Sequence, residues 1–147
     1  MSDVQRKNII KTVIIIVAIM VTILLLFLNK IMTPRYLSDI ELKINKLELI
    51  KEPIILDNNI DKWLLIAGTT EHTKILTELN LELRDSIQEK TNIVEFKQLS
   101  PPVDAFPYDP QEHIGIANAK GELIAYFRPP FDQHKMILTY SSVITHR

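Results

Sequence analysis

Residues 68–74, Gly-Thr-Thr-Glu-His-Thr-Lys, hold the side chains of this protein best placed for chemistry. They follow an apolar run and open a helical pattern. A helix N-terminus presents free N–H groups to anions and nucleophiles. A thiol enzyme would place a cysteine there, at lowered pKa. This chain contains no cysteine and offers His72 and two threonines instead. The same residues serve as caps on a solvated first turn, and the sequence favours that reading. A phosphate-binding G-x-x-x-x-G-K-[ST] loop is absent, and the chain has only three glycines from which to build one.

The four histidines are His72, His113, His134 and His146, and no two are three or four residues apart on a helix. His72 and His113 fall near one end of the sheet inferred below. A metal held there would need a third ligand, Glu71 or Glu112, and two imidazoles alone make a poor site. Asp104, Asp109 and Glu112 sit in a proline-rich loop and read as solvated charges. The expectation is therefore no catalytic group, no metal, no cofactor and no enzymatic activity. Phe106 and Tyr108, in the same loop, are the candidate partner-binding residues, although loop aromatics also fold back onto their own domain. Trp63 reads as a packing residue.

The elements that position these residues begin with a membrane segment. Residues 12–28 (TVIIIVAIMVTILLLFL) carry no charge and lie between Lys11 and Lys30. At about 1.5 Å per residue the run covers roughly 26 Å of a hydrocarbon core about 30 Å thick. Ile9, Ile10, Ile31 and Met32 extend it. A cleaved signal peptide would also supply Arg6, Lys7 and Lys11 ahead of an apolar run. Here, however, Asn29-Lys30-Ile31-Met32 follows, with no A-x-A-like cleavage site. The expected organisation is an N-terminal cytoplasmic tail over 1–11, a membrane helix over 12–31, a linker over 32–46 and a domain over 47–147. Basic residues flank the span on both sides, so the positive-inside rule is indecisive. A short tail before a long domain suits a signal anchor with the domain exported, in a cell inner membrane facing the periplasm.

Four of the 17 basic residues and one of the 18 acidic residues precede Thr33, which leaves the remainder with a net charge of −4. That argues against nucleic acid, which selects a basic stripe. Without cysteine the chain has no disulfide, thiol redox chemistry or lipoprotein acylation. Residues 63–68 (WLLIAG) form a continuous apolar run closed by glycine, the pattern of a central strand. Thr69 or Thr70 then caps a helix expected to reach about Lys90, with Ile75, Leu79, Leu83 and Ile87 on one stripe and Leu76 widening it. Ile40, Leu42 and Ile44 alternate, which suggests a strand; a helix over 37–49 is the competing reading. Pro53 is expected to break the chain. Residues 93–96 read as a strand and 100–111 as a loop. Residues 113–117 and 122–127 read as a hairpin, turning at Asn118-Ala119-Lys120-Gly121. Asp132 caps a last helix bearing Met136, Ile137, Tyr140, Val143 and Ile144. The sum is an α/β domain with a mixed sheet.

Residues 62–79, KWLLIAGTTEHTKILTEL, resemble the Sco (SenC) branch of the thioredoxin-like superfamily. There an apolar strand runs through FGYTxCPxxCP into the first helix. Gly68 and Thr70 take the glycine and threonine positions, and the two copper-binding cysteines fall on His72 and Leu76. The resemblance, covering roughly 47–145, thus implies a thioredoxin-like fold whose copper motif has degenerated at Thr70, His72 and Leu76. Residues 114–144 are similar to the closing strands and helix of short anchored relatives found beside haem–copper oxidase assembly genes. What it implies about function is a non-catalytic, membrane-anchored accessory factor for cytochrome oxidase assembly, with a protein partner in a respiratory or envelope complex. The alternative is a small bitopic subunit recognised through its membrane helix.

Overall fold

The computed structural model describes residues 2–56, 61–99 and 106–147, the side chains of 29–32 apart. The chain divides into two units, Met1–Pro34 and Arg35–Arg147. In the first, Asp3–Met32 forms one continuous helix, α1. It is long and apolar enough to cross a membrane. Its hydroxyls do not interrupt it, because Thr12 donates to the carbonyl of Asn8 at 2.9 Å and Thr22 to that of Ala18 at 2.8 Å. Such back-bonding keeps a polar side chain satisfied where no water is present.

In the second unit, five strands form one mixed sheet in the order β1-β5-β4-β2-β3. They are β1 (Leu47–Ile55), β2 (Trp63–Ala67), β3 (Thr91–Glu95), β4 (Ile114–Ala117) and β5 (Glu122–Phe127). β2 and β3 are parallel, joined over α3 (Thr70–Glu82) and a single-turn α4 (Asp85–Gln88). β4 runs antiparallel to both its neighbours, β2 and β5. The hairpin turn is the expected one, with Gly121 at φ 81°, where a side chain would be strained. The last helix, α5 (Gln133–His146), is capped by Asp132, which accepts from the Lys135 N–H at 3.1 Å.

Strand alternation divides the core into two clusters, one on each face. Leu65 and Ala67 of β2, Ile114 and Ile116 of β4, and Phe127 of β5 pack with Leu76 and Leu79 of α3 and Met136, Tyr140 and Val143 of α5. Leu64, Ile66 and Leu123 belong to a smaller cluster with Tyr108 and Leu56. Among the described residues, no α-helix contributes to that second cluster. The proline-rich loop contributes instead.

Four expectations change. Residues 40–44 are not a strand, and the helix there does not reach Leu49. Ser38 accepts from the Glu41 N–H and starts a short helix, α2 (Asp39–Ile44). Leu42 alone turns inward, and the chain then reverses at Lys46, φ 69°, into β1. Second, residues 35–46 belong to the folded unit: Leu37 and Leu42 lie in the core, and the Leu37 N–H donates to Ser142 Oγ at 2.9 Å. Third, Pro53 lies within β1, in the irregular stretch between Leu49 and Ile54 where a missing N–H is tolerated. Fourth, the long helix breaks at Leu83, which takes extended backbone at ψ 150°. An unbroken helix to Lys90 would be about 31 Å long beside a strand of about 17 Å. Breaking it returns the chain in time to pair Thr91 with Trp63. Leu83 and Ile87 stay buried even so.

Candidate functional site

At the C-terminal end of β2, Gly68 and Thr69 turn the chain into α3. Thr69 takes the N-cap, its Oγ1 accepting from the His72 N–H at 3.1 Å, and the Thr73 hydroxyl donates back to the Thr69 carbonyl at 3.2 Å. Thr70 is exposed on the first turn. His72 points inward with 4% of its surface accessible, its ring set edge-on to Phe131 at 5.4 Å. Its Nδ1 accepts from the Gly68 N–H at 3.2 Å. That bond requires an unprotonated Nδ1, so the neutral ring carries its hydrogen on Nε2. Burial holds the His72 pKa below its ordinary value; Glu71 pulls the other way, and His113 lowers it further. Leu76 is fully buried core. His72 and Leu76 are thus a neutral buried imidazole and a packing leucine.

Residues 106–110 lie against the second face of the sheet, and two glycines permit the contact. A Cβ on Gly68 would stand 1.6 Å from the Pro110 carbonyl oxygen. One on Gly115, in β4, would stand 2.1 Å from the Tyr108 hydroxyl. Neither space admits a side chain. Tyr108 is buried, stacked on Tyr126 of β5 at 5.0 Å and packed edge-on to Phe106 at 5.3 Å; Phe106 in turn meets Phe96 at 4.6 Å. His113 completes the row against Tyr126 at 5.2 Å, its Nδ1 3.1 Å from the Asp109 carbonyl. The Tyr108 hydroxyl has no partner among the described residues, and burial raises its pKa.

Of the two candidate partner-binding residues, Tyr108 is therefore spent on the domain's own core, and Phe106 keeps part of its surface accessible. Beside α3, an open cleft of about 200 Å³ is lined by residues 67–70 and 95–97. Its lysine, Lys97, pairs with Glu95 at 3.0 Å. Ligand sites usually run to about 300–1,000 Å³. Among the described residues no three His, Asp or Glu side chains gather as a metal site. Asp104 lies outside the described residues. Sequence reasoning missed the Gly68–Pro110 and Gly115–Tyr108 contacts. A glycine inside the apolar strand run Ile114-Gly115-Ile116 was the available signal, since such a residue marks close approach by another chain segment.

No family model, no curated protein and no solved structure matches this chain.

Proposed function

We propose that the protein is a non-catalytic, Sco-like domain of thioredoxin-like fold, anchored in the cell membrane by α1 and facing the periplasm. It acts as an accessory or assembly factor for a respiratory haem–copper oxidase by binding a protein partner. One observation carries the reading most: apart from the single turn α4, the run β2-α3-α4-β3-β4-β5-α5 follows the element order of thioredoxin-like domains, and the junction where such domains hold reactive cysteines is filled by His72 and Leu76. A buried imidazole that accepts a backbone N–H is committed to structure, which supports binding rather than redox chemistry. The back-bonded threonines and apolar length of α1 support the anchor.

The test is made in cells lacking the chromosomal copy. Oxidase activity should fall, and the full chain should restore it, as should His72→Ala at sufficient expression. A photoreactive residue at Phe106 should give a covalent adduct with a membrane-complex protein. Unchanged oxidase activity would overturn the assembly role. Adducts obtained only from positions in α1 would favour the bitopic subunit instead.

A further inference from the structure

Among its described residues the folded unit exposes few large apolar side chains, and three of the six lie in one short stretch: Tyr36 (54% accessible), Ile40 (74%) and Ile44 (66%). Ile40 and Ile44 stand four apart on α2, so they share a face, while Leu42 is sunk in the core. α2 is thus amphipathic in an unusual sense, apolar toward the core and apolar again toward the outside. Its position is pinned from within the unit. The Arg147 guanidinium donates to Asp39 at 2.6 Å and to the Leu37 carbonyl at 3.3 Å, and lies 5.5 Å from the Tyr36 ring. Arg35 pairs with Glu41. Lys43 and Lys46 form no ion pair among the described residues.

Only six residues separate the end of α1 at Met32 from the start of α2 at Asp39, and fully extended they reach at most about 25 Å. A water-exposed Ile40/Ile44 pair at that distance from a membrane segment has an apolar surface within reach. An exposed tyrosine and two uncompensated lysines beside it match an interface of headgroups. We propose that the outer face of α2 docks on the bilayer surface that α1 enters, Ile40 and Ile44 seated in the headgroup–acyl boundary and Lys43 and Lys46 among anionic lipid phosphates. The domain is then held against the membrane at a set orientation instead of swinging on a free tether. This inference rests on the reading that α1 crosses the bilayer.

The absence of cysteine lets single labels be placed without background. The full chain, carrying Ile40→Cys, Ile44→Cys, Leu81→Cys or Met20→Cys with an environment-sensitive fluorophore, is reconstituted into phosphatidylcholine–phosphatidylglycerol vesicles doped with shallow or deep nitroxide lipids. Positions 40 and 44 are exposed and outside the core, so labels there leave the core intact. The expected result is blue-shifted emission at 40 and 44, quenched several-fold more by the shallow nitroxide than at Leu81, an exposed position on α3. Met20 should be quenched by the deep nitroxide. Quenching at Met20 without quenching at 40 and 44 overturns the proposal and leaves the anchor standing. No quenching at Met20 removes the anchor reading, and the proposal with it. A blue shift at 40 that grows with protein density and ignores the nitroxide assigns the face to a second copy, which also overturns it.

Discussion

Tyr108→Phe should stabilise the folded unit. The ring is buried and stacked on Tyr126, and its hydroxyl lies over Gly115 with no hydrogen-bond partner among the described residues. Phenylalanine keeps the ring contacts and removes only the oxygen. An unpaired buried hydroxyl costs about 1–3 kcal/mol, so the substitution should raise the unfolding free energy by that amount. For a unit of 113 residues this corresponds to a melting temperature higher by about 4 °C or more. Denaturant unfolding of a fragment spanning Arg35–Arg147, followed by circular dichroism, reads the change. Gly115→Ala supplies the internal control. In the parent its Cβ meets the hydroxyl at 2.1 Å; once Tyr108→Phe removes that oxygen, the nearest former neighbour is the ring carbon at 3.0 Å. The alanine should therefore cost less in the Tyr108→Phe background, by roughly 0.5–3 kcal/mol in a double-mutant cycle. A loss of about 1 kcal/mol or more from Tyr108→Phe would refute the reasoning, because it would mean that the hydroxyl is hydrogen-bonded in the folded protein.

Leu79→Ala, at a fully buried position between α3 and the sheet, should cost about 2–5 kcal/mol in the same unfolding assay, whereas a cost under roughly 1 kcal/mol would mean that the helix face is misassigned. Gly68→Ala should cost about 1–3 kcal/mol or more, since its Cβ collides with the Pro110 backbone; unfolding measured beside protease sensitivity near Pro110 checks it. For His72 the folded pKa is depressed, so the unfolded chain takes up the proton first. Its contribution is fully present above the ordinary value of 6.5 and is lost as pH falls from there toward the folded value, with a slope of at most about 1.4 kcal/mol per pH unit. Unfolding across pH 5–8 should show that slope, and His72→Gln should flatten it.

Much of this architecture could be read in one dimension because its causes are local. The long apolar α1, the caps at Thr69 and Asp132, the positive-φ turn at Gly121 and the buried strand at Trp63–Ala67 each follow from a few neighbouring residues. The stripe Ile75, Leu79, Leu83, Ile87, widened by Leu76, was likewise legible, although Ile75 is only partly buried and the helix that was to carry it is broken. Periodicity reports which residues are buried more reliably than it reports one continuous element. Ile40, Leu42 and Ile44 misled for the same reason in reverse: alternation is the mark of a strand only where both outer residues go inward, and here only Leu42 does.

The tertiary structure alone decided how the second face of the sheet is covered. Gly115 hints at a close approach, but nothing in the spacing says which segment makes it, because Gly68 and Pro110 stand 42 residues apart and both contacts depend on the absence of a Cβ atom. The same holds for residues 35–46, whose place in the domain depends on the bond from Leu37 to Ser142 and the anchorage of Arg147, each bridging more than a hundred residues. Local propensity cannot report such contacts. They exist because burying apolar surface on both faces of a sheet requires distant segments to close over it, and which segments reach is settled only when the sheet has formed.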